Sequence, residues 1–193
     1  YGQLGLGHSS SVGTNDKPSA ALDVNLGGGN PVQLSAGGNH TCALLDNGYL
    51  RCWGANGSGQ LGYGNTSNRT TPGSDLVTGS KVLQVATGND HTCALLNSGT
   101  IKCWGQGLYG QLGYGVKDNV HAPVTTAVGN VDLSGATAYR VSTGLTHTCA
   151  LLSTGAARCW GRNTQGQLGY GHKLDIGDTE LPSVAGDIKL LGP

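Results

Sequence analysis

The 193-residue sequence sets a histidine two residues ahead of a cysteine three times: His40-Thr41-Cys42, His91-Thr92-Cys93 and His147-Thr148-Cys149. On an extended strand, residues two apart share a face. Each pair therefore has the types and spacing of a base beside a thiol nucleophile, or of two metal ligands. A third ligand would come from the cysteine ten residues on: Cys52, Cys103 or Cys159. Two features weigh against both chemistries. Catalysis needs one asymmetric constellation, whereas this one recurs in every unit. The H-x-C-x9-C spacing also lacks the close C-x2-C knuckles of structural zinc sites. A structural histidine, hydrogen-bonded within its own unit, is the preferred reading.

Gly57-Ser58-Gly59-Gln60-Leu61-Gly62 matches the G-x-G-x-x-G outline of a dinucleotide loop. Such a loop must open a helix inside a βαβ unit, with an acidic residue about 20 positions on. No helix-forming stretch follows Gly62, and the equivalent Gly107-Leu108-Tyr109-Gly110 loses the pattern. A glycine turn is expected, with no cofactor, no metal and no catalytic residue.

The elements that carry these residues repeat. His-Thr-Cys-Ala-Leu-Leu recurs from His40, His91 and His147, and each first cysteine is followed ten residues later by Cys-Trp-Gly. Gly-Gln-Leu-Gly then follows at 59–62, 110–113 and 166–169, and a further copy opens the chain at 2–5. The period is 51 residues from Cys42 to Cys93 and 56 from Cys93 to Cys149. The difference falls after Gly-Gln-Leu-Gly, so the stretches near 8–30, 65–80, 116–138 and 172–186 form the length-variable loop. The units divide as roughly 1–57, 58–108, 109–164 and a partial 165–193, in one repeat region covering 1–193.

Each unit reads as short strands. Thr41–Leu45 and Tyr49–Trp53 flank the tight-turn signal Asp46-Asn47-Gly48, and a further strand precedes each hairpin at Val32, Val82 and Tyr139. Cys-Ala-Leu-Leu is apolar on both faces, as suits a sheet packed between neighbouring sheets. An all-β fold of radial propeller blades is expected. Each hairpin centre (47, 98, 154) lies midway between its two cysteines, which places Cys42 opposite Cys52, Cys93 opposite Cys103 and Cys149 opposite Cys159. Directly opposed Cβ atoms lie about 4.5–5.5 Å apart, close to disulfide reach. Three identical hairpin bridges are the economical pairing of six cysteines, and they imply an oxidising compartment; the alternative is reduced cysteines buried in the blades as small hydrophobes.

Composition excludes several classes. Thirty-five glycines without a three-residue period and only 6 prolines are neither collagen nor a helical domain. No apolar run is long enough for a membrane helix. Eleven basic and eleven acidic residues cancel, so no nucleic-acid tract or membrane-binding face is indicated. The chain has no methionine, and hence no initiator, which leads us to expect a piece of something larger.

The run Gly-x-x-His-Thr-Cys-Ala-Leu-Leu, Cys-Trp-Gly and Gly-Gln-Leu-Gly-Tyr-Gly resembles the regulator-of-chromosome-condensation type of repeat, especially the cysteine-paired variety of secreted bacterial proteins. The resemblance implies a propeller of usually seven four-stranded blades. This chain would then be an arc of about three blades plus partial ones, ending in a strand at Ile188–Leu191. That family includes a guanine-nucleotide exchange factor, a plant ultraviolet photoreceptor and secreted β-lactamase inhibitors. Exchange activity sits poorly with three disulfides and balanced charge. The photoreceptor's chemistry needs clustered tryptophans and arginines, whereas Trp53, Trp104 and Trp160 stand one per unit.

Positions that vary within fixed surroundings are where a repeat scaffold carries recognition. They are Asn39 and Asp90 before the histidines, and Asn56, Ser58, Leu108, Tyr109, Arg162 and Gln165 before Gly-Gln-Leu-Gly. Asn65 and Asn68 lie in acceptor patterns for N-glycosylation. The expected function is a secreted or cell-surface interaction or structural module without catalysis, binding a protein or other macromolecule through blade loops. The alternative is an enzyme inhibitor or regulator acting with one propeller face, and exchange activity ranks below both. Self-association through open blade edges is expected as well, with no nucleic acid, membrane insertion or small molecule as partner.

Overall fold

The computed structural model describes residues 1–14, 17–123 and 129–188. Nine strands form three antiparallel sheets of three. The first holds β1 (Pro31–Ala36), β2 (His40–Leu45) and β3 (Leu50–Gly54). The second holds β4 (Val82–Thr87), β5 (His91–Leu96) and β6 (Ile101–Gly105). The third holds β7 (Ala138–Thr143), β8 (His147–Leu152) and β9 (Ala157–Gly161). A single-turn helix at Pro182–Ala185 and a 3-10 turn at Pro18–Ala20 are the helical pieces among the described residues. The architecture is the nearly all-β blade arrangement that the repeats imply.

The register is that of the centred hairpins: Cys42 faces Cys52, Cys93 faces Cys103 and Cys149 faces Cys159. Each pair is a disulfide, with Cα atoms 4.1, 4.1 and 4.0 Å apart. Separations this short belong to the narrow, non-hydrogen-bonded site of an antiparallel ladder, where opposed side chains come closest. The free N–H and C=O of Cys52, Cys103 and Cys159 therefore point away from the hairpin.

What meets those groups departs from the four-stranded expectation. Among the described residues the fourth position of each sheet is no strand but a pair of pinned points. One is a single bridge, Gly54 with Arg69, Gly105 with Val120 and Gly161 with Ile176. The other is an N–H of Leu76, Val131 or Ile188 donating to the carbonyl of Leu50, Ile101 or Ala157. Between the two points a tyrosine hydroxyl substitutes for backbone. Tyr114 Oη accepts the Cys103 N–H at 3.0 Å and lies 3.0 Å from the Cys103 carbonyl, to which it donates. The Tyr63 and Tyr170 hydroxyls likewise accept the Cys52 and Cys159 N–H, but each also reaches a second carbonyl, Ser74 at 3.0 Å and Gly186 at 3.2 Å, and the Cys52 carbonyl takes the Gly73 N–H as well. Burial pushes the Tyr114 phenol up to about 12, so the hydroxyl keeps its proton. The length-variable segments have no two-residue alternation to sustain a ladder, and in the second sheet one phenol satisfies both Cys103 groups. Ile188, the first residue of the anticipated closing strand, thus belongs to the edge of the third sheet; residues 189–191 lie outside the described residues.

The core runs between sheets. Every residue of β5 is buried, whereas β8 alternates, with His147, Cys149 and Leu151 partly open. The central blade is covered on both faces; the third is covered on one.

Candidate functional site

The repeated histidines join one blade to the next. Thr92 Oγ1 donates to the Gln60 carbonyl at 2.8 Å and stands 2.9 Å from His40 Nε2. A hydroxyl has one proton, and Thr92 gives it to a carbonyl, so His40 must donate through Nε2–H. The next boundary repeats this arrangement. His91 Nε2 lies 3.0 Å from Thr148 Oγ1, which donates to the Gln111 carbonyl at 2.9 Å. Both rings are thereby fixed as the neutral Nε2–H tautomer. Their Nδ1 atoms are buried without a hydrogen-bond partner, against Gly37 and Gly88. A Cβ on Gly37 would stand 2.7 Å from His40 Nδ1, so only glycine admits the ring. Burial pushes His40 down to about 4. It pushes His91 down to about 3, aided by repulsion from the His40 and His147 rings. The hydrogen bonds of His40 and His91 run between blades rather than within one. The cysteines beside them are locked in disulfides, so no thiolate is present for attack or ligation.

The same glutamine carbonyls hold the tryptophans. Trp53 Nε1 donates to Gln3 at 2.9 Å, Trp104 to Gln60 at 3.0 Å and Trp160 to Gln111 at 3.0 Å. Gly-Gln-Leu-Gly is therefore the socket for the next hairpin. Gly62, at φ +83°, closes one such socket, and a Cβ there would stand 2.7 Å from Trp104 Nε1. This explains the dinucleotide-like outline at 57–62: it is a turn against an indole, with no helix behind it.

The variable loops share one end of the sheets. The pairings Ala36–Thr41 and His40–Gly54 bring the 37–39 turn and the 55–58 loop to the same end, and the other two sheets repeat the pattern. All eight residues expected to bind a partner therefore lie at that end, in unequal settings. Asn56 is fully buried. Its amide donates to the Asn65 and Ser67 carbonyls and its oxygen accepts the Leu61 N–H, so it braces the loop and presents nothing to a partner. Asn163, which stands between Arg162 and Gln165 in the same variable stretch, does the same work in the third unit. Its equivalence to Asn56 was the available signal. Asp90 is half-buried and accepts from the Gln60 amide at 3.0 Å. Asn39 and Ser58 are half-buried, and Gln165 is exposed. Asn65 and Asn68 are exposed, although Asn65 Oδ1 accepts the Ser67 N–H and Asn68 Oδ1 accepts the Asn56 N–H.

One pair crosses a blade boundary. The Arg162 guanidinium, in the loop after the third sheet, lies over the Tyr109 ring, in the loop after the second sheet, 4.9 Å from its centroid. Leu108 beside it is 51% exposed. Stacking on the ring restrains a flexible arginine and leaves the aromatic–aliphatic pair in place at the surface.

Comparison with known proteins agrees with this geometry. The chain matches the regulator of chromosome condensation (RCC1) repeat over residues 32–60, 82–111 and 139–167, and in a second description over 47–95 and 98–151. It is 35% identical over 176 residues to the ultraviolet-B receptor UVR8 of Arabidopsis thaliana, covering 90% of this chain and 38% of that protein. It is 32% identical over 179 residues to the human probable E3 ubiquitin-protein ligase HERC3, covering 91% of this chain and 16% of that one. The chain thus spans well under half of these relatives. Among solved structures it is similar to Prp20p of Saccharomyces cerevisiae (TM-score 0.62, 26% identity, covering 84% of this chain and 37% of that one). It is also similar in fold to yeast RCC1 (Prp20) solved bound to Kap60 (TM-score 0.64, 24% identity, 80% and 36%). The three blades, with their shared grammar of histidine, tryptophan and Gly-Gln-Leu-Gly, place the chain in the regulator of chromosome condensation (RCC1) repeat family.

Proposed function

We propose that the chain is a non-catalytic protein-interaction module that works in an oxidising, extracellular or cell-surface setting. It would bind a protein partner through the loop end of the second and third blades. The observation that carries this reading is the Tyr109–Arg162 pair across the blade boundary, with Leu108 exposed beside it. Aromatic and arginine anchors held in advance bind with little further ordering cost. The recurring histidines, cysteines and tryptophans are consumed by blade joinery, which leaves the variable loops as the part free to recognise. Yeast RCC1 (Prp20), of the same fold, has been solved with Kap60 bound. Three disulfides favour the oxidising setting.

The test is capture of proteins from the native extracellular fraction by the immobilised chain, followed by affinity measurement on the purified partner. Leu108→Asp and Tyr109→Ala should each weaken binding by roughly tenfold or more, the loss typical of a hot-spot anchor, with little change in the unfolding midpoint. A partner whose affinity is indifferent to both substitutions would remove the loop end as the binding surface. Inhibition assays with hydrolases from the same fraction address the regulator alternative.

A further inference from the structure

The sequence contains two Asn-Gly steps, Asn47-Gly48 and Asn56-Gly57. Such a step carries its own reaction, because glycine leaves its nitrogen unshielded beside the asparagine side chain. The fold sets the two in opposite surroundings. Asn47 is the middle residue of the first hairpin turn and is exposed. Its counterpart Ser98, in the sheet with a neighbour on either side, is exposed as well, so the openness belongs to the hairpin tip. Asn47 Oδ1 accepts the Tyr49 N–H at 3.1 Å. That bond folds the side chain back beside the intervening Gly48 nitrogen and draws electrons from Cγ, the atom to be attacked. The Gly48 N–H donates to the Leu45 carbonyl at 2.9 Å, a single bond in an exposed turn that local opening frees at little cost. Asn56 is fully buried. Its Nδ2 donates to the Asn65 and Ser67 carbonyls at 2.9 and 3.0 Å, and its Oδ1 accepts the Leu61 N–H at 2.9 Å. A carboxylate in its place would be buried against two carbonyls with nothing to donate to them, so the product is resisted as well as the approach.

We propose that Asn47 is a site of spontaneous covalent modification by water, and that Asn56, with the same neighbour, is spared. The Gly48 nitrogen bonds to Asn47 Cγ, and its proton departs with the side-chain nitrogen as ammonia, which closes a five-membered imide. Water then opens the imide at either carbonyl, and nothing is oxidised or reduced. One opening leaves aspartate. The other leaves isoaspartate, in which the main chain runs through Cβ and Cγ and gains one atom. That atom falls inside the turn where the Leu45 N–H donates to the Tyr49 carbonyl, and just ahead of Gly48, whose carbonyl accepts the Val82 N–H at 3.0 Å. The Val82 bond ties the first hairpin to the start of β4, so the isoaspartyl product loosens the first blade boundary at its hairpin end.

Peptide mass spectrometry of the oxidised chain, held in warm, mildly alkaline buffer, is the test. Asn47 should gain about one mass unit, acid for amide, with isoaspartate among the products. It should do so roughly tenfold or more faster than Asn56, which reacts only when its loop opens. In denaturant the two steps should convert at similar rates, which assigns the difference to the fold. Asn47→Ser, the residue type of position 98, should abolish the first conversion. Hydrogen exchange at the Val82 amide should quicken about tenfold in the isolated isoaspartyl product, the worth of one backbone hydrogen bond. Retention of the Asn47 amide, or equal rates at both positions in the native protein, overturns the inference, and unchanged Val82 exchange overturns its consequence for the boundary.

Discussion

Complete reduction of the three disulfides is expected to unfold the protein, or to bring it to the edge of unfolding, at neutral pH and room temperature. Each bridge joins cysteines ten residues apart. Closing so short a loop in the unfolded chain contributes roughly 3 kcal/mol by the chain-entropy relation. Three independent bridges together contribute on the order of 8 kcal/mol, against a net stability of about 5–15 kcal/mol for ordinary domains. Packing alone offers few reserves, because each blade holds three short strands and a pinned edge rather than a full fourth strand. Cys42, Cys52, Cys93 and Cys103 have no exposed surface, whereas Cys149 sits on the open face of the third sheet. The third bridge should therefore yield to a reductant first, and the first two only as their blades open. Guanidinium denaturation with and without a phosphine reductant, with thiol counting by mass, measures the effect. An unchanged midpoint in the fully reduced protein would contradict the role assigned to the bridges, and with it the argument for an oxidising setting.

Acid should act almost as strongly, through His40 and His91. Both are buried and neutral, with folded-state values near 4 and 3 against about 6.5 in the unfolded chain. Between pH 6.5 and those values the unfolded chain binds protons that the folded chain refuses, so stability falls as pH falls. The effect is absent above pH 7. It grows through pH 6 and 5, and levels for each ring once its folded value is passed. At pH 4 each contributes a loss on the order of 3 kcal/mol by linkage. The geometry sets the same sign: a proton on Nδ1 would be buried against Gly37 or Gly88 with no acceptor. Chemical denaturation at pH 7.5 and pH 4 should show the loss, and His91→Gln should flatten the slope between them. A midpoint independent of pH over this interval would mean that the rings are not held neutral and buried.

Both effects trace to residues the sequence displays openly, yet the roles were not equally readable. The cystine pairing was legible because a hairpin is local: its turn lies midway between Cys42 and Cys52, and that arithmetic needs no tertiary information. The strands and the blade identity were legible for the same reason, since each repeat writes its own hairpin. The partner of His40 was not, because Thr92 lies one period away and nothing in a single unit says which neighbour it meets. The fourth strand was misjudged in a similar way. Its place is taken by loop segments and by Tyr63, Tyr114 and Tyr170, whose hydroxyls bond backbone eleven residues back. The tyrosine is visible in Gly-Gln-Leu-Gly-Tyr-Gly, but its aim is a matter of chain path. Asn56 shows how variability misleads when read alone. It differs from its counterpart Gly107 in the second unit because the loop there approaches more closely: a Cβ on Gly107 would stand 2.0 Å from the Asp118 carbonyl. The difference reflects loop packing rather than recognition.

The recurring histidine, threonine and Gly-Gln-Leu-Gly residues fasten blade to blade. Histidine side-chain nitrogen NMR on the oxidised protein tests it most directly. His40 and His91 are expected to be neutral at pH 6 with the proton on Nε2 and to titrate only well below pH 5, whereas Thr92→Val should alter the His40 signals alone of the two. An Nδ1–H tautomer, or ordinary titration near pH 6.5 for both rings, would contradict it.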